Sequence, residues 1–116
     1  MIMGTHIIVF STTPEADRAF FADVLDHPYV DAGGGWLIFK LPPAELAAHP
    51  SEGPAGQSLY FMCDDLQATM SDLQAKGVEF TDGVSEERWG RLTRFQLPGG
   101  SEVGLYEPHH PLAIEL

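Results

Sequence analysis

The stretch Leu59–Phe80, LYFMCDDLQATMSDLQAKGVEF, changes its hydrophobic period twice. At its start, side chains alternate as on a strand, with Leu59, Phe61 and Cys63 on one side and Tyr60 and Met62 on the other. Leu66, Met70 and Leu73 then fall at i, i+4 and i+7, the apolar stripe of a helix. Asp64 or Asp65 supplies the N-cap. Lys76 suits the negative helix end, and Gly77 is a left-handed stop. Val78-Glu79-Phe80 resumes an extended pattern. The reading is strand, cap, helix, strand.

The same plan stands about fifty residues earlier. THIIVFSTTPEADRAFFADVLDHPYVD, Thr5–Asp31, opens on a strand that includes His6. Thr13 is the expected N-cap, because Pro14 follows at a helical position where a missing N–H costs nothing. Ala16, Ala19, Phe20 and Val24 recur at helical spacing, and Asp26 and Pro28 close the helix. Further strands follow each unit. In the first half they are Trp36–Leu41 and, after Pro42-Pro43, Ala44–His49. Propensity alone allows that second segment to be a short helix, and the repeat favours a strand. In the second half, GRLTRFQ and SEVGLYEP flank the turn Pro98-Gly99-Gly100. PSEGPAGQ between the halves is a linker by composition. The expected fold is α+β: two βαβββ modules, 4–50 and 57–108, forming a cupped mixed sheet in one domain spanning 1–116.

The chain carries 17 acidic and 6 basic side chains, a net charge of −11. Such a surface repels phosphate backbones and anionic headgroups, which argues against nucleic-acid and membrane partners. The single cysteine, Cys63, allows no internal disulfide and fits a reducing cytoplasm. No signal-peptide pattern or apolar run of spanning length is visible. A cytoplasmic location is therefore expected.

Strand alternation sorts the candidate residues. Leu59, Phe61, Cys63, Val103 and Leu105 form one uniformly apolar set, expected beneath the two helices. The opposite set, His6, Ser58, Tyr60, Met62, Glu102, Gly104 and Tyr106, mixes aromatic and polar groups in the manner of a small-molecule pocket. A lone strand histidine is by itself more often a packed side chain than a ligand, and both readings of His6 stay open.

Three pieces resemble the vicinal oxygen chelate superfamily, which includes glyoxalase I, bleomycin-resistance proteins and extradiol dioxygenases. FFADVLD, Phe20–Asp26, resembles that family's F-Y-x-x-x-L-G helix end, with Asp26 in place of the glycine. LYFMCDDLQATMSDLQAKGVEF resembles its second-module signature. LPGGSEVGLYEP resembles its closing P-D-G-N-x-[IL]-E-L-x-E-P strand. The resemblance covers about residues 4 to 110 and implies a glyoxalase-like fold. It also implies a metal site with up to four ligands from four strands. His6 matches the first position. PAELAAHP resembles the strand that carries the second, which places Glu45 there. The third falls on Ser58, with Gln57 beside it able to offer a carbonyl oxygen if a bulge turns it inward. The fourth falls on Gly104. The implied metal set is His6, Glu45 and Gln57, a partly degenerate site for one divalent ion of zinc, nickel, manganese or iron, or for none. With a metal, Glu45 is ligand or catalytic base, and lyase, isomerase or dioxygenase chemistry follows.

Arg88, Arg91 and Arg94 hold half the basic charge within seven residues. They read as a clamp for an anionic ligand with Trp89 stacked beside it, or as partners of Glu79, Glu86 and Glu87. Arg91 and Arg94 lie on opposite strand faces, so one at most enters a pocket. The candidate substrate-binding set is Tyr60, Trp36, Trp89 and Arg94, Trp36 being either a rim aromatic or a core residue. EPHHP, Glu107–Pro111, reads as an exposed or dimer-docking tail, and Cys63 as a buried structural thiol. The function expected is binding of a small molecule, with metal-assisted chemistry at a degenerate site. The alternative is a metal-free, ligand-sequestering protein of the drug-resistance type. A homodimer is expected in either case.

Overall fold

The computed structural model describes residues 1, 6–50, 52–54 and 56–116. Gly4 and Thr5, expected at the head of the first strand, and Ser51 and Ala55 of the linker lie outside the described residues.

The order of elements is helix α1 (Pro14–Ala19), a wider π-type turn (Phe20–Val24), strands β1 (Tyr29–Asp31), β2 (Leu37–Phe39) and β3 (Tyr60–Met62), helix α2 (Leu66–Ala75), strands β4 (Ser85–Glu87), β5 (Gly90–Gln96) and β6 (Glu102–Pro108), and a final 3-10 turn (Ala113–Glu115). β1 and β2 form an antiparallel hairpin, and β3-β6-β5-β4 form a four-stranded sheet in that order. β6 runs parallel to β3 and antiparallel to β5. The mixed sheets and few helices match the expected α+β fold.

Local chemistry sets the helices. The Asp65 side chain caps α2 by accepting the Ala68 N–H at 3.0 Å. Leu66, Met70 and Leu73 are buried, and Gly77 ends the helix at φ 91°. Thr13 sits at the α1 N-cap, but its side chain makes no cap bond; the Ser11 Oγ instead accepts the Thr13 N–H at 3.0 Å. The π-type turn brings the adjacent Phe20 and Phe21 against the same apolar cluster. Asp26 takes φ 55°, the left-handed position at which the resembled family carries glycine.

Phe95, Leu97, Val103 and Leu105 are buried with Val78 and the α2 stripe, and Leu59, Phe61, Cys63, Phe20, Phe21, Val24 and Leu25 pack around them. Helix α2 and the π-type turn after α1 therefore cover the uniformly apolar face predicted from alternation, while α1 itself buries only Asp17. A turn joins the two halves. The Gly99 N–H donates to Asp17 Oδ1 at 2.6 Å, and Ser101 Oγ donates to the Phe10 carbonyl at 3.1 Å.

Several expected strands are shorter or absent. His6–Phe10 joins no ladder, and Ala44–His49 is neither strand nor helix. Trp36–Leu41 contracts to Leu37–Phe39, and Val78-Glu79-Phe80 reduces to a single bridge between Phe80 and Phe95. β4, at Ser85–Glu87, was not foreseen. A strand exists only where a neighbour supplies hydrogen-bond partners, and propensity does not reveal that neighbour.

Candidate functional site

The face of the four-stranded sheet away from the helices carries Tyr60, Met62, Glu102, Gly104 and Tyr106 of the mixed set, whereas His6 and Ser58 lie outside its strands. Strand register builds it in rows. Tyr60, Gly104 and Arg94 stand side by side across β3, β6 and β5, and Met62, Tyr106 and Leu92 form the next row.

Gly104 has no side chain, and the Tyr60 ring fills the space above it. A Cβ at Gly104 would collide with that ring. Arg94 Nη2 donates to the Tyr60 hydroxyl at 2.6 Å, and its guanidinium carbon lies 5.3 Å from the ring centroid. Arg94 Nε also faces Asp82 at 3.8 Å. Tyr60 meets Tyr106 edge to face at 5.9 Å, and Trp89 meets Tyr106 likewise at 5.8 Å. These rings form one aromatic wall with a guanidinium at its edge.

The tail closes one side of the wall. The His109 N–H donates to the Trp89 carbonyl at 2.8 Å. His110 Nδ1 lies 2.7 Å from the Pro111 carbonyl, and its Nε2 lies 3.2 Å from the Tyr106 hydroxyl. A carbonyl only accepts, so Nδ1 donates there, and in that tautomer Nε2 is the acceptor for the Tyr106 hydroxyl. Burial, and then the Glu45 carboxylate, push the Tyr106 phenol above its ordinary pKa. Glu45 Oε2 accepts the backbone N–H groups of Ala113 and Ile114, which ties the segment after Pro43 to the chain end.

The structure thus brings Tyr60, Trp89 and Arg94 together and sets Glu45 near their far end. Trp36 lies elsewhere, in the β1–β2 turn with Arg18 4.7 Å over its ring. At 62% exposed it is not a core residue. His6 and Gln57 are exposed. Among the described residues, no three His, Cys, Asp or Glu side chains lie close enough to share a metal ion. Arg91 faces the other side of β5 and pairs with Glu86 at 2.8 Å, as alternation requires. Cys63 is partly buried and packs against the core.

Tyr106 and His110 are the contributors that sequence reasoning did not select. Tyr106 has the right strand parity. His110 reaches back because Pro108 and Pro111 bracket the tail and bend it, a signal present in the sequence. A recess of about 330 Å³ also opens between Phe20, Val24, Lys76, Val78, Gln96 and Pro98. Its one cation, Lys76, already donates to the Val24 carbonyl at 3.1 Å.

The sequence model described as Glyoxalase/Bleomycin resistance protein/Dioxygenase superfamily matches residues 5–105. No curated protein matches. Among solved structures, a lactoylglutathione lyase from Agrobacterium tumefaciens is 20% identical, with 92% of each chain covered and a TM-score of 0.64. TnmS3, an antibiotic binding protein from Streptomyces sp. CB03234, is 24% identical over 93% of this chain and 99% of that one, with a TM-score of 0.60. A member of the same superfamily from Sphaerobacter thermophilus DSM 20745 is 23% identical over 91% and 98%, at 0.61. At these identities the likeness is one of fold.

Proposed function

The chain belongs to the glyoxalase/bleomycin resistance protein/dioxygenase superfamily, and from that membership we propose a metal-free protein that binds an aromatic small molecule against Tyr60, Trp89 and Tyr106. Members of the superfamily bind small molecules and often hold a divalent metal. Whether the residues present fit a metal is a matter of donor chemistry. Gly104, at the fourth ligand position, brings no donor, and the Tyr60 ring takes the room a carboxylate would need. Ser58, at the third, offers a neutral hydroxyl. Glu45, at the second, already accepts two backbone N–H groups. An open divalent site commonly takes three protein ligands, and this set does not supply them. No reaction step is therefore derived through a metal.

The observation that carries the reading is the replacement at Gly104. A position suited to an ion is filled by a phenol ring braced on Arg94, which converts a coordination site into a stacking surface. The fold neighbour described as an antibiotic binding protein supports the same class of function. Trp89 is 40% exposed, and a second copy of the chain is the proposed cover of the aromatic wall. Among the described residues His6–Phe10 has no ladder partner, Phe10 is 85% exposed, and Leu46 is 99% exposed. Apolar unpaired edges of this kind are satisfied by association. Cys63 as the single thiol suits a reducing cytoplasm.

Metal titration with zinc, nickel, manganese and iron(II), beside a thermal-shift assay with 2-naphthamide, tests the reading. The expected result is no stoichiometric ion and a raised Tm with the aromatic probe, because binding stabilises the native state. One ion bound per chain and lost in His6→Ala or Glu45→Gln would replace it with metal-assisted lyase, isomerase or dioxygenase chemistry.

A further inference from the structure

We propose that the Tyr60–Arg94 corner is an anion subsite, so that the ligand is a planar aromatic acid, its acid group on that corner and its ring against Tyr106 and Trp89. This rests on the aromatic-ligand reading above and adds the charge and orientation of the ligand.

The direction of each hydrogen bond carries the inference. Arg94 Nη2 donates to the Tyr60 oxygen at 2.6 Å, so that oxygen is an acceptor and its own proton remains to be given. Among the described residues, no hydrogen-bond acceptor takes it. The guanidinium carries five N–H donors. Its Nε lies 3.8 Å from Asp82, beyond hydrogen-bond length, so donors are left over. Asp82 competes for the guanidinium from one side, but the corner still offers the Tyr60 proton and unused guanidinium N–H groups of a half-buried, permanently charged side chain, and a carboxylate accepts both strongly.

The far end has the opposite character. The Tyr106 proton points to His110 Nε2, which leaves the Tyr106 oxygen to accept. Glu45 adds negative charge there, and that charge is one cause of the raised Tyr106 phenol. An anion meets no cation at this end, whereas at the other the Arg94 guanidinium faces it beside Asp82. The two tyrosine rings lie 5.9 Å apart, a span that a fused bicyclic ring covers while touching both. With a net charge of −11, the molecule as a whole does not attract acids, so the preference has to arise locally at Arg94.

Calorimetric titration of the purified full chain with 2-naphthoate, 2-naphthamide and 2-naphthylmethylammonium tests the proposal. Naphthoate is expected to bind about tenfold tighter than the amide, as a charge-assisted hydrogen bond provides, with the ammonium weakest. Arg94→Met is expected to weaken naphthoate about tenfold more than it weakens the amide, so that the preference for the acid disappears. Asp82→Asn, which removes the competing carboxylate, is expected to tighten naphthoate. Arg94→Lys, retaining charge without the fork, is expected to keep part of the preference and guards against misfolding of the methionine variant. Amide or ammonium binding as tightly as naphthoate overturns the anion subsite and leaves the aromatic-ligand reading standing. A naphthoate preference that survives both Arg94 variants does the same. Failure of all three probes overturns both.

Discussion

Single residues show where this chain departs from a simple repeat. Asp26 holds a left-handed backbone without being glycine, and its carboxylate lies 3.7 Å from Lys76 in an exposed pair of small energetic weight. His27 is the more consequential neighbour. Its ring lies against Phe21 and Phe61 at 6.3 and 5.5 Å, joining an aromatic of each half, and its Nε2 is buried without a hydrogen-bond partner among the described residues. Burial lowers its pKa, and nearby Asp26 offsets only part of that. The folded state thus binds a proton less readily than the unfolded chain. The contribution of neutral His27 is fully present above the unfolded value of 6.5 and is lost as pH falls through the lower folded value. His27→Phe is therefore expected to flatten the fall in urea midpoint between about pH 7 and pH 5. An unchanged slope would show that the ring is solvated in the native state. Glu107 acts in a separate, more acid window. The Leu66 N–H, and then His109, hold its carboxyl below the ordinary value, so its contribution is present above 4.5 and lost as pH falls further.

At the scale of elements, the turn between β5 and β6 joins the halves. Gly100 takes φ 99°, which permits the tight return, while Gly99 serves close approach. Any Cβ on Gly99 would meet Ser11 Oγ and Asp17 Oδ2. Asp17, buried in α1, accepts the Gly99 N–H through its other oxygen. Gly99→Ala is expected to destabilise the fold by about 1–3 kcal/mol, as overpacking does, with the loss read from urea unfolding. Gly100→Ala strains the backbone instead and leaves the Asp17 contact intact. A neutral Gly99→Ala would mean that the turn does not dock on α1 in solution. This contact was not legible from the sequence. Pro98-Gly99-Gly100 announces a turn, but a turn signal says nothing of what the turn touches 82 residues away.

The whole molecule presents a finished core on one side and unpaired apolar chain on another. Phe10, Ile8 and Leu46 stand exposed beside segments with no ladder partner among the described residues, and association with a second copy would cover such edges. Sedimentation at micromolar concentration is expected to give a dimer, which Phe10→Asp converts to a monomer. Because each copy carries −11, added salt is expected to strengthen association by screening their mutual repulsion. A monomer under all conditions would remove the second copy from the binding site. The sequence alone determined α2, the position of the first helix after Thr13 and the apolar sheet face beneath α2, because periodicity reports which side chains must leave water together. It also fixed Arg91 and Arg94 on opposite faces of β5. Tertiary structure alone decided which extended segments found partners, so His6–Phe10 and Ala44–His49 did not become strands. It also decided that Tyr60 lies over Gly104, that His110 folds back to Tyr106, and that Trp36 stands apart from Trp89. Alternation assigns a residue to a face, whereas register and the path of the tail, set by contacts between residues far apart in the chain, decide which side chains on that face meet.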